Sequence, residues 1–189
     1  MYVLDGSGSV NEDPFNSAKT AIADSLDDFT IGTSGTRVGF IVYGGSATTH
    51  LTLVASATQG NEGSKNTING VSFPSAGSTR TGIAISAAIS HFASNGHVNR
   101  VNATIVITDG QSGDSVTGPA TNAANAGITM YAIGVGGSID NAELLQIANN
   151  ENSRVLTIAN MSELGTTLRA LDASICTGEI FKDVGISPN

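Results

Sequence analysis

Short apolar, β-rich runs alternate with segments of helical period along nearly the whole of this chain, and that alternation limits the fold more than any other feature. The runs are "YVL", "TRVGFIVYG", "ATTHLTLV", "NATIVITD", "ITMYAIGV" and "RVLTI". Several are almost continuously apolar, as a strand covered on both faces must be. "ATTHLTLV" alternates instead and follows its neighbour after "GGS", which predicts an antiparallel edge strand closing a hairpin. The pattern therefore predicts an α/β fold: a doubly wound, mostly parallel central sheet of about six strands with one antiparallel edge strand and helices on both faces, Rossmann-like in architecture.

The helices are legible from caps and spacing. Helix one is expected from Pro14 to Phe29, with Asp13 as N-cap, Pro14 at the first helical position, and Phe15, Ala18, Ile22, Leu26 and Phe29 on one face. A second long helix is expected from Thr81, with Ile85, Ile89 and Phe92 on one stripe and a left-handed cap at "SNG". Shorter helices fit residues 115–125, 140–149 and 161–174. The 189 residues suit one domain, placed at residues 1–176, with 177–189 as a tail or linker. Because the chain opens on what reads as the second half of a strand, its start is expected to be a fragment boundary.

Charge narrows the partners. With 16 acidic against 8 basic residues the net charge is −8, which repels phosphate backbones and anionic lipid and favours cations. No nucleic-acid partner and no membrane insertion are expected, since no apolar run reaches spanning length. A single cysteine, Cys176, leaves no internal disulfide and no cysteine-based zinc cluster.

In an open parallel sheet, ligands bind at the carboxyl ends of the strands. Asp5 falls there after the first strand and Asp109 after "ATIVIT", so two carboxylates can converge. The first loop adds Ser7 and Ser9, with glycines between them that allow a tight turn, and "SAGSTRTG" adds Thr79, with Thr81 as its neighbour. Every donor in this set is oxygen, which suits a hard divalent ion, Mg²⁺ or else Mn²⁺ or Ca²⁺. Asp114, further along the Asp109 loop, reads as solvated or as the cap of a helix starting near Ser115. His50, His91 and His97 have no partners at ligand spacing, and the sequons at Asn102 and Asn160 are of a kind expected by chance in a chain this rich in Asn, Ser and Thr.

These motifs, "DGSGS", "GSTRTG" and "ITDGQSGD", resemble the DxSxS, threonine-loop and TDG elements of the von Willebrand factor type A domain, also called the integrin I-type domain, with its metal-ion-dependent adhesion site. "VGFIVYGGSA", "MYAIGVGG" and "DNAELLQIANNENSRVLTIANMSEL" extend the resemblance in order over roughly residues 2–176. It implies that Ser7, Ser9 and Thr79 are hydroxyl ligands, that Asp5 and Asp109 bind directly or through water, and that a partner's carboxylate completes the shell. It implies an extracellular adhesion module whose ligand is a matrix or cell-surface protein offering an acidic residue. Cys176 sits where many extracellular members place a cysteine that pairs with one just before strand one, and this chain has no such partner.

Enzyme readings fail on particular residues. An aspartyl-phosphate hydrolase needs a second carboxylate where Ser7 stands, no GxSxG elbow occurs, and "GSGSVN" ends in Asn11 where a dinucleotide loop needs glycine. The chain is read as a non-enzyme. The competing reading is a structural matrix or assembly scaffold whose metal site is incidental.

Overall fold

The computed structural model describes residues 1–96 and 100–177, without the side chains of Cys176 and Thr177. The expectations for His97, for the Cys176 thiol and for the tail from residue 178 onward lie outside the described residues. Within them the chain runs β1 (Tyr2–Asp5), α1 (Glu12–Ser25), β2 (Phe40–Tyr43), β3 (Ala47–Leu51), α2 (Leu53–Asn69), α3 (Thr81–Asn95), β4 (Asn102–Thr108), α4 (Thr117–Asn125), β5 (Ile128–Val135), α5 (Asn141–Ile147), β6 (Val155–Ile158) and α6 (Leu164–Thr177). The strands form one sheet in the order β3-β2-β1-β4-β5-β6, parallel except for the antiparallel β2–β3 pair at one edge. The expected α/β sheet and its hairpin edge are both present.

Period-2 alternation sorts the core into two layers. Tyr2 and Leu4 of β1 join Phe40, Val42, Ile105 and Ile107 on the face covered by α1, α2 and α6, through Phe15, Ile22, Leu26, Ile68, Leu164, Leu168 and Leu171. Val3 joins Ile41, Tyr43, Val106 and Met130 on the opposite face, under Ile85 and Phe92 of α3, Ala123 of α4 and Leu144 and Ile147 of α5. Strand order reverses between β1, which ends at Asp5, and β4, which ends just before Asp109. A ligand crevice forms at such a switch point.

Several local expectations are corrected. Helix α1 starts two residues early, at Glu12. Its N-cap position is Asn11, at φ 63°, with no side-chain cap bond, rather than Asp13. Pro14 then lies at the third helical position, where its missing N–H is still one the first turn leaves unpaired. The α-helix stops at Ser25 and a 3₁₀ turn, Leu26–Asp28, carries the chain to Phe29. Gly96 ends α3 in an extended conformation, φ −69° and ψ 169°, and so makes no left-handed cap. The run "LTLV" is divided: β3 ends at Leu51, Thr52 caps α2 by accepting the Ala55 N–H at 3.0 Å, and Leu53 is already helical. Helix α2 was not foreseen because its polar sequence shows little apolar period. It kinks at Gly60, whose φ of 69° is open to glycine. His91 is structural, its Nε2 accepting the Leu53 N–H at 3.1 Å.

A buried polar contact ties α6 to the sheet. The Tyr2 hydroxyl donates to Asp172 Oδ2 at 2.7 Å and lies 3.2 Å from Ser25 Oγ. Burial pushes the Asp172 carboxyl from 3.8 up to about 6, and the Tyr2 hydrogen bond only partly opposes this. A folded-state value above the unfolded one gives stability that is complete below about pH 4 and lost as pH rises through about 6, here roughly 3 kcal/mol. Denaturant titration of wild type and Asp172→Asn at pH 4.5 and 7.5 is expected to show the variant gaining relative to wild type at the higher pH. A stability difference that does not change with pH would refute the assignment.

Candidate metal centre

The end of β1 and the loop after it are held from two sides. The Gly6 N–H donates to the Tyr43 carbonyl at 2.7 Å, the Gly8 N–H to the Ala76 carbonyl at 2.6 Å, and the Ala76 N–H to the Gly6 carbonyl at 3.2 Å. The loop bearing the serines is thus zipped to the segment leading to Thr79, with Ser7 opposite Ala76. Close approach of that segment to β2 needs the glycine at 44, since a Cβ there would overlap the Ala76 Cβ and lie 3.2 Å from the Ser78 carbonyl oxygen. The Arg80 N–H closes the same corner on the Gly44 carbonyl at 3.0 Å.

Asp5 and Ser7 are buried, at 1% and 2% exposure. The Asp5 carboxylate is oriented by both oxygens: Oδ1 accepts the Ser7 N–H at 2.8 Å and Oδ2 accepts the Thr108 hydroxyl at 2.8 Å. Ser7 Oγ lies 3.0 Å from Ser9 Oγ, which donates to Asp109 Oδ1 at 3.0 Å. Hydrogen bonds therefore run from the buried Asp5 to Asp109, through the Ser7 N–H and then the Ser7 and Ser9 hydroxyls. Thr79 completes the rim, lining with Ser9, Asp109, Gly110, Gln111 and Gly136 a cavity of about 540 Å³. Of the five residues singled out in the sequence, Ser9, Thr79 and Asp109 line this cavity, and Asp5 and Ser7 lie buried behind Ser9.

The electrostatics fit a cation. Burial raises the Asp5 carboxyl, its hydrogen bonds from Ser7 and Thr108 work against that, and the charge of Asp109 adds a smaller push upward. The ion pairs among the described residues include neither Asp5 nor Asp109. The described residues contain no group of three or more His, Cys, Asp or Glu that could hold a metal ion; the oxygens gathered here, two carboxylates and three hydroxyls, are of the kind a hard divalent ion takes. Asp5, Ser7, Ser9, Thr79 and Asp109 are the residues that would hold it.

Some contributors were not singled out from the sequence. Thr108, the last residue of β4, orients Asp5, and its place just before Asp109 in "ITDG" was the available signal. Tyr43 is fully buried beside the site, where its hydroxyl accepts from Thr81 Oγ1 at 3.2 Å; burial, and then the Asp5 charge, raise its pKa. Asp114 does cap a helix, but the helix is α3 and not the one beginning near Ser115: its oxygens accept the Gly82 and Ile83 N–H groups at 2.8 and 3.1 Å.

The sequence model of the von Willebrand factor type A domain matches residues 1–170. The chain belongs to that family. Among curated relatives, this von Willebrand factor type A domain is 33% identical over 159 residues to the collagen alpha-1(XXI) chain of Xenopus laevis, covering 81% of this chain and 16% of the collagen. It is 30% identical over 194 residues to mouse (Mus musculus) matrilin-2, covering 98% and 20% respectively. The chain thus spans a fifth or less of these relatives. Among solved structures, proximal thread matrix protein 1 from the mussel byssus, with a zinc-occupied MIDAS motif, superposes with a TM-score of 0.82 at 28% identity, over 93% of this chain and 47% of that one.

Proposed function

We propose that this domain is a metal-dependent protein-binding module of an extracellular matrix or cell-surface protein. The observation that carries the reading is the hydrogen-bonded run from Asp5 through Ser7 and Ser9 to Asp109, with Ser9, Asp109 and Thr79 lining one cavity at the carboxyl edge of the sheet. The ion expected there is Mg²⁺ or Mn²⁺, because neither sulfur nor imidazole is in the donor set. When bound, it supplies a positive charge to which a partner's Asp or Glu carboxylate can add. The matrix relatives and the zinc-bearing MIDAS of the byssal protein support both the metal and the extracellular setting. Binding and not catalysis is assigned, since these relatives are matrix proteins and the sequence offers none of the nucleophile or phosphate-loop motifs tested above.

The test is capture on a panel of immobilised matrix proteins in Mg²⁺, in EDTA, and in Mg²⁺ with Thr79→Ala. Capture by wild type in Mg²⁺ should fall at least tenfold with EDTA and clearly with Thr79→Ala, which removes one hydroxyl donor. Capture that both treatments leave unchanged would transfer the function to a scaffold whose metal site is incidental.

A further inference from the structure

Helix α3 begins without a cap of its own. Its N-cap residue, Arg80, makes no side-chain cap bond, yet the first three N–H groups of the helix are all taken by the loop that follows Asp109. The Thr81 N–H donates to Ser112 Oγ at 3.0 Å, and the Gly82 and Ile83 N–H groups to the two Asp114 oxygens. Ser112 Oγ in turn donates to Asp114 Oδ1 at 2.7 Å, and the Gly113 N–H donates to the Thr79 carbonyl at 2.6 Å. The far side of the same loop is gripped by α5, where both Glu143 oxygens accept the Ser112 N–H, at 2.9 and 3.0 Å. The Thr79 segment and Asp109 are each tied separately to the loop after β1, at Ala76 and through Ser9 Oγ, and this clamp joins the Thr79 segment and the Asp109 loop to one another directly.

We propose that Asp114 and Glu143 are positioning residues for the metal centre, setting Thr79 against Asp109 through Ser112 and the first turn of α3. The proposal rests on the reading that Asp5, Ser7, Ser9, Thr79 and Asp109 hold a divalent ion. Partners that orient ligands in this way typically change metal affinity 10–100-fold when removed, whereas a helix cap with no such role changes only the stability of the fold.

The experiment is Mn²⁺ titration calorimetry on wild type, Asp114→Ala, Asp114→Asn, Glu143→Ala, Glu143→Gln, Thr79→Ala and the Thr79→Ala/Asp114→Ala double variant. Circular dichroism in EDTA checks that each is folded. Asp114→Ala and Glu143→Ala are expected to raise Kd about tenfold or more. Glu143→Gln keeps one accepting oxygen and should bind nearly as wild type, and Asp114→Asn should fall between. In the Thr79→Ala background Asp114→Ala should add little, because the residue it positions is gone. If Asp114→Ala does not fold, Asp114→Asn and the Glu143 pair carry the comparison. Folded Asp114 and Glu143 variants with wild-type Kd, or a full Asp114 effect without the Thr79 hydroxyl, would overturn the positioning role while leaving the metal centre intact. A wild-type domain that takes up no Mn²⁺ overturns the metal centre, and the positioning role with it.

Discussion

Asp5→Ala is expected to abolish the stabilisation of the folded domain by Mn²⁺ or Mg²⁺. At ion concentrations about 100-fold above Kd, a ligand that binds only the folded state adds about 2.7 kcal/mol, which for a chain of this size raises Tm by roughly 5–10 °C. Asp5 is chosen because it alone among the five is a buried carboxylate fixed at both oxygens, by the Ser7 N–H and the Thr108 hydroxyl. Removing it deletes a formal charge where solvent cannot replace it, so the loss should exceed that of any single hydroxyl. The check is thermal denaturation of wild type and variant, each with EDTA and with Mn²⁺. An equal rise in Tm for both proteins would show that the ion binds elsewhere.

The second large effect is on stability. Phe15→Ala should lower the unfolding free energy by about 3–5 kcal/mol, read from urea titrations at constant m. Phe15 is fully buried in the first turn of α1, its ring 5.3 Å from that of Phe73, with the Lys19 ammonium 5.4 Å from its centroid. Lys19 also donates to the Asn69 and Val71 carbonyls, which anchors the chain just before the Thr79 loop. The site cannot easily collapse around a missing ring, because Phe15 is packed between the helix and the segment leaving α2. A change below about 1 kcal/mol would mean that this side of the core is looser than its burial indicates.

How legible each part was depended on the range of the interaction behind it. Strands β1, β2, β4 and β5 announced themselves because burial on both faces demands unbroken apolar runs, and "DGSGS" did so because two hydroxyls can turn to one point only with glycines between them. Helix α2 was hidden: "LVASATQGNEGSKNTIN" buries only Leu53, Ser56, Ser64 and Ile68, too few apolar positions to show a period, and its kink at Gly60 breaks whatever register remained. Asp13 before Pro14 is a strong local signal for the N-cap of α1, yet Asn11 takes that position because the loop carrying Ser7 and Ser9 enters the helix at φ 63°.

Composition and local pattern by themselves determined the class of fold and the antiparallel edge, since both follow from periodicity, and they put Asp5, Ser7, Ser9, Thr79 and Asp109 forward as candidate donors. The tertiary structure alone decided that Thr108 orients Asp5, that Asp114 caps α3 in place of its own neighbouring helix, that Glu143 grips the Asp109 loop, and that Tyr2 meets Asp172 across 170 residues. The physical reason is that an unpaired N–H donates to, and a buried carboxylate accepts from, whichever partner the fold brings within reach. At the carboxyl edge of this sheet, the order β2-β1-β4-β5 brings together loops that are far apart along the chain.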